Sequence, residues 1–185
     1  MSRIKRLIDS YSRFISVPWR SDAAAAQRVI FCVYDENYEL QLRAKIDEFE
    51  IATIRSGHEW AVFNLTETFA DWLLKQRYAK RYFENPHLIS TMMPGYLAFI
   101  KQGFEDFLRA KEVTRSTVVA LKGVGSLFGF LMVKEVVDEL APLVAGRLLV
   151  FFPGNYEDNN YRLLDAYDGW NYLAVPITAD KEVLE

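Results

Sequence analysis

The sequence predicts an α/β fold in three layers: a three-layer sandwich with a mainly parallel sheet, helices on both faces and an antiparallel hairpin at the C-terminal edge. Three observations predict it. Short apolar runs alternate with stretches whose apolar residues recur at helical spacing, the order expected of βαβ units whose right-handed crossovers lay helices over a sheet. The strand-like runs are continuously apolar, as in Val29-Ile30-Phe31-Cys32-Val33, which suits strands covered on both sides. The chain has 185 residues, 51% hydrophobic and 15% aromatic, enough for one substantial core and too short for two.

Residues 1–20 are expected to form an amphipathic helix: Ile4, Leu7, Ile8, Tyr11, Phe14 and Ile15 share one face, and Pro18 ends it. Its basic residues Arg3, Lys5, Arg6 and Arg13 would also suit a membrane surface or a partner groove, but such a face usually packs on its own domain. Residues 21–180 are expected to form a single domain. A connector over 21–26 leads to a strand at 28–34, and Asp35 then offers an N-cap to a helix running towards Gly57. A second strand at 60–65 precedes a helix from Thr66 and Glu67 through Leu74. The spacing of Tyr96, Leu97, Ile100, Phe104, Phe107 and Leu108 predicts a helix with Pro94 in its first turn. Residues 116–121 read as a strand, 130–143 as a helix, and 147–152 as a strand that stops at Pro153-Gly154. The runs 161–164 and 172–175, joined through Asp168-Gly169, read as the edge hairpin, and residues 181–185 as a disordered tail.

The formal net charge of −3 supplies no field to gather nucleic acid or anionic lipid, so direct nucleic-acid binding is not expected. The densest basic-aromatic stretch, Lys75, Arg77, Tyr78, Lys80, Arg81, Tyr82 and Phe83, could touch phosphates while stacking bases, and a solvated helix face explains it as well. One cysteine, Cys32, sits in an apolar run and cannot form an internal disulfide, which suits a reducing, cytoplasmic setting. No uninterrupted apolar stretch suggests a secretory signal or a membrane span.

The segment Leu121-Lys122-Gly123-Val124-Gly125-Ser126 lies between a strand and a helix, where backbone N–H groups can hold phosphate. Its spacing departs from both nucleotide-binding patterns, because Phe128 stands where the Walker A loop and the dinucleotide fingerprint need a glycine, and no lysine follows. Gly123, Gly125 and Ser126 are therefore candidates for a degenerate phosphate-binding turn, against a plainer reading as a close-packing glycine turn. His58, His87 and Cys32 do not make a metal-ligand pattern, and no Gly-x-Ser-x-Gly nucleophile elbow occurs. Asp35 and the Phe152-Pro153-Gly154 turn are expected to share the rim at the C-terminal ends of the strands, where such sheets bind ligands. Neither catalytic residues nor a cofactor or metal are assigned.

The run Leu148-Leu149-Val150-Phe151-Phe152-Pro153-Gly154-Asn155-Tyr156, followed by Tyr161-Arg162-Leu163-Leu164-Asp165 and by Gly169-Trp170-Asn171-Tyr172-Leu173-Ala174-Val175-Pro176-Ile177, resembles the C-terminal signature of the BrxB family. Val33-Tyr34-Asp35-Glu36 and the glycine segment through Phe128 occupy corresponding places, extending the likeness over most of residues 28–177. The family occurs in bacteriophage-exclusion (BREX) gene clusters, beside a PglZ-type alkaline-phosphatase-like protein, a large ATPase and a DNA methyltransferase. The resemblance implies a non-catalytic component of BREX anti-phage defence, an adaptor for another BREX protein, with the PglZ-type subunit first and the large ATPase second. Aromatic side chains anchor interfaces well, so Tyr156, Tyr161, Tyr167 and Trp170 are the candidate docking residues. The alternative from another class is a nucleotide- or phosphate-binding regulatory domain using the Gly123–Ser126 turn.

Overall fold

A computed structural model describes residues 2–20, 22–166 and 169–179. Tyr167, the Asp168 of the expected turn, position 21 of the connector and the expected 181–185 tail lie outside the described residues. Helix α1, Arg3–Ile15, begins where the Ser2 side chain accepts from the Lys5 N–H at 3.2 Å. Its apolar face is buried through Ile4, Leu7, Ile8, Tyr11 and Ile15, so the helix serves its own core. The Tyr11 hydroxyl lies 2.6 Å from Thr53 Oγ1 on helix α3, Ile46–Arg55, and Thr53 passes its own proton to the Phe49 carbonyl at 2.8 Å. That chain satisfies two buried hydroxyls and fixes α1 against α3.

Five strands pair in parallel in the order β2, Glu59–Asn64; β3, Thr117–Lys122; β4, Arg147–Glu157; β1, Val29–Tyr34; and β7, Val175–Ile177. Strands β5, Asn160–Leu163, and β6, Trp170–Asn171, add antiparallel pairing beyond β4, so the sheet is mixed with a parallel core. Alternate residues of the parallel strands enter two different clusters, as strand pleating requires. Ile30, Cys32, Tyr34, Val118, Leu149 and Phe151 pack with α1, with Leu42 of α2, Glu39–Arg43, and with Phe49 of α3. Phe31, Val33, Val119, Leu121, Val150 and Phe152 pack with Trp72 of α4, Thr68–Leu74, with Ile100 and Phe104 of α6, Met93–Ala110, and with Val136 and Val137 of α7, Val133–Leu140. Helix α5, Ala79–Glu84, carries the C-terminal half of the basic-aromatic stretch and buries none of its residues.

Three expectations are corrected. Strand β4 does not stop at Pro153-Gly154: Pro153 pairs with Tyr34, and the strand then turns away to pair with β5 through Glu157. The hairpin turn here is Asp158-Asn159, both left-handed with φ of 49° and 64°, the backbone of a type I′ turn. The second hairpin partner also differs from the expected 172–175: beyond its pairing with β4, β5 pairs with Trp170–Asn171, while residues 175–177 add in parallel to β1 at the sheet edge. An edge tolerates Pro176, which has no N–H to donate. Finally, the helix expected over 130–143 begins only at Val133, because Gly129 turns left-handed at φ 80° and holds 128–132 as a loop.

Candidate functional site

A cleft of about 450 Å³ opens at the C-terminal ends of β1 and β4. Its place follows from topology. Strand β1 exits through α2 and α3, which pack on the Ile30 face, whereas β4 exits through β5 and β6, whose Tyr161 and Trp170 pack on the Phe31 face. Neighbouring strands that leave towards opposite faces define the topological switch point, where parallel sheets open a crevice. The wall comprises Tyr34 and Asp35 from the end of β1, Gly154 to Asp158 from the β4 extension, Arg3 and Leu7 from α1, and Thr178 after β7. Asp35 and Gly154 thus share one rim, as the strand order implied.

The groups on this rim are largely committed to holding it. The Asp35 carboxylate accepts from the Asn37 backbone N–H at 2.9 Å and from its Nδ2 at 2.8 Å, capping a 3-10 turn. The Asn37 backbone N–H holds Asp35 below the usual carboxylate range, so it stays ionised and is a poor proton donor near neutrality. The Tyr34 hydroxyl donates to Glu39, which also takes Arg43 Nε at 2.6 Å. Burial first, and then Glu39, raise the Tyr34 phenol above its ordinary value, keeping it protonated. Asp35, Glu157 and Asp158 outnumber Arg3, so the cleft is acidic and suits a cationic or hydroxyl-bearing group better than phosphate.

The Gly123–Ser126 turn lies apart from this cleft. Gly123 has φ 80°, and a Cβ there would stand 2.8 Å from the Thr66 backbone nitrogen, so the close approach of the segment after β2 explains the glycine. Ser126 Oγ lies 2.7 Å from the Gly123 carbonyl and 3.1 Å from the Leu65 carbonyl, and its proton is spent on backbone. The residues that follow Gly123 form a 3-10 turn, Val124–Leu127, in place of the α-helix on which the phosphate reading relied.

The aromatic candidates divide. Tyr161 is fully buried, its ring 4.6 Å from Phe31 and 4.6 Å from Tyr156, with its hydroxyl donating to the Ala174 carbonyl at 3.3 Å. This burial gives Tyr161 a packing role in the core. Trp170 is half-buried and packs 5.4 Å from Tyr161 and 5.7 Å from Phe31, holding the β5–β6 excursion to the sheet. Tyr156 is half-buried in the cleft wall, its hydroxyl donating to Asn159 Oδ1 at 2.9 Å.

Sequence reading passed over the 128–132 loop, taking Phe130 as helix. There Phe128, Phe130 and Met132 alternate outwards, 47%, 37% and 52% exposed, while Leu131 between them is buried. Phe69 stacks on Phe130 at 3.9 Å and fixes the base of this apolar ridge. The available signal was Gly129, which punctuates the run four residues before the helix begins at Val133.

Among the described residues no helix is long and apolar enough to cross a membrane, and no group of three or more His, Cys, Asp or Glu is placed to hold a metal ion. Fold and site together define an open-sheet α/β protein with a switch-point cleft and an exposed apolar ridge beside the helix that follows β3. Residues 62–177 match the model of the family described as BREX protein BrxB. The match covers more than half of the chain, which therefore belongs to the BrxB family and is a component of BREX anti-phage defence. It begins within β2, so β1 and the Val33-Tyr34-Asp35-Glu36 segment lie outside it, a narrower span than the sequence likeness implied. No curated protein and no solved structure matches the chain.

Proposed function

We propose that this chain serves BREX defence as a non-catalytic adaptor that docks another BREX protein, the PglZ-type subunit first and the large ATPase second. The observation that carries this reading is the Phe128–Phe130–Met132 ridge, which exposes three large apolar side chains inside the segment matched by the family model. Solitary exposed apolar residues are ordinary, but several on one short loop mark a surface that water covers poorly and a partner covers well. The commitment of Asp35 and Tyr34 to structural hydrogen bonds supports a binding role over a catalytic one.

The experiment is co-purification of the tagged chain with the PglZ-type subunit and, separately, with the large ATPase, for the parent and for Phe128→Ser and Met132→Ser. Circular dichroism should show unchanged folding, because neither side chain lies in the core. Affinity should fall by roughly tenfold or more for each variant, the effect of removing an interface hot-spot residue. Failure of the parent to retain either subunit, or full retention by both variants, overturns the adaptor reading at this surface.

A further inference from the structure

At the opposite edge of the sheet, several hydrogen-bond donors are buried without acceptors among the described residues. Arg147, the first residue of β4, is 8% exposed; its side chain makes no hydrogen bond or ion pair among the described residues, and its guanidinium lies 5.0 Å from the centre of the Trp19 ring. Arg28 immediately precedes β1 and donates from Nη1 to the Ala145 carbonyl at 2.8 Å, yet its Nε is buried with no partner. The indole N–H groups of Trp19 and Trp60 are likewise buried and unpartnered. Register brings these groups to one edge: Trp60 pairs with Val118, Val118 with Arg147, and Val29, next to Arg28, with Leu148. Adjacent strands lie about 4.8 Å apart, so the two arginines start from neighbouring positions. Trp19 and Trp60 both pack against the cluster containing Val118, and Trp19 stacks on His58 at 3.8 Å.

This arrangement runs against ordinary burial. Guanidinium and indole groups only donate, and buried donors in folded proteins nearly always find acceptors. The Trp19 ring face offers Arg147 a partial negative charge without neutralising it. The neighbouring charge acting on Arg147 is another cation, Arg28, and burial together with that cation holds the Arg147 pKa below its ordinary value. Glu59, the carboxylate at this edge, is committed to Thr114 and Thr117 at 2.7 and 2.5 Å. Gly146 fixes the start of β4, since a Cβ there would lie 2.0 Å from the Thr117 carbonyl oxygen.

We propose that Arg28, Arg147, Trp19 and Trp60 form a binding site for a small oxyanion, the phosphate or carboxylate group of a soluble ligand, at the N-terminal edge of the sheet. Paired guanidinium groups supply the charge and the forked donors that such an anion accepts, and the indole N–H groups complete its hydrogen bonds. The site is distinct from the acidic cleft and from the apolar ridge.

The test is thermal unfolding of the full chain at constant ionic strength, with chloride replaced stepwise by inorganic phosphate in one series and by acetate in another. A saturable rise in melting temperature is expected from at least one anion, since a ligand that binds only the folded state must stabilise it. Phosphate alone identifies a tetrahedral site, acetate alone a planar one. Arg147→Met should melt no lower than the parent in chloride, because an unpaired buried charge is removed, and should lose the anion response. Arg28→Gln, at a more exposed position, should weaken the response by at least tenfold in apparent affinity and serves if Arg147→Met does not fold. Absence of a saturable rise with either anion in the parent overturns the proposal, as does an undiminished response in both variants.

Discussion

Replacing Gly123 by alanine should destabilise the fold strongly, whereas the same change at Gly125 should be nearly silent. At Gly123 an added Cβ meets Thr66 Oγ1 at 2.3 Å, the Thr66 nitrogen at 2.8 Å and its Cα at 3.1 Å, on a backbone at φ 80°. The left-handed conformation costs a non-glycine residue about 1–2 kcal/mol. Relieving the backbone contact requires the segment after β2 to move, an overpacking cost of about 1–3 kcal/mol. At Gly125 the nearest atoms are Pro153 Cγ at 3.5 Å and Leu164 Cδ2 at 3.9 Å, ordinary contacts on a backbone without positive φ. Urea unfolding should therefore give a loss of about 2–5 kcal/mol for Gly123→Ala and under about 1 kcal/mol for Gly125→Ala. Melting temperatures should fall by about 2–4 °C for each kcal/mol lost. A phosphate-binding turn would instead make both glycines matter to ligand and neither especially to folding. Equal stability losses, or a parent whose melting temperature rises with magnesium nucleotide while Gly125→Ala does not respond, would refute the packing argument.

Trp170→Ala should lose about 2–3 kcal/mol in urea unfolding, below the usual range for a fully buried Trp because the ring is only half-buried; a variant with parental stability would return Trp170 to the docking surface. The Cys32 thiol is raised above its ordinary pKa by complete burial, so a thiol reagent should leave the native protein unmodified near pH 8 and react once it is unfolded in guanidinium; rapid native labelling would contradict that burial. Burial, then Arg147, lowers the His58 pKa in the folded state. The unfolded chain therefore binds more protons than the folded one between the two pKa values, and the His58 contribution is present above about pH 6.5 and lost as pH falls through the folded value. The decline in melting temperature from pH 7 to pH 5 should be shallower in His58→Gln than in the parent, and an identical decline would exclude this origin.

The parallel core was legible because its residues carry the message individually: Val29 to Tyr34 are all buried, and only a strand covered on both faces needs six such residues in succession. Helices α1 and α6 were legible from the spacing of their apolar residues. What escaped depends on partners remote in the chain. Pro153-Gly154 resembles a stop, yet Gly154 permits the Arg162 carbonyl to approach to where a Cβ would be 2.0 Å away, and the Leu164 N–H reaches the Pro153 carbonyl at 2.8 Å. Those contacts exist only once β5 folds back. Asp158-Asn159 did carry a local hairpin signal, overshadowed by Asp168-Gly169 because glycine is the stronger turn residue. The rim shared by Asp35 and Gly154 could be placed from strand order alone. The buried donors at the other edge could not, since Trp19, Arg28, Trp60 and Arg147 have no mutual spacing that betrays a common location.

The position of β1 bears on where this domain can be cut. Strand β1 fills the slot between β4 and β7, pairing six residues with one and three with the other, although it precedes the segment that matches the family model. A fragment trimmed to residues 62–177 would therefore bare the facing edges of β4 and β7 and strip the Leu149 and Phe151 side of α1 and α3. Open edges of this kind recruit other strands. Such a fragment should self-associate, and a separately supplied 1–61 segment should suppress that association if it reoccupies the slot.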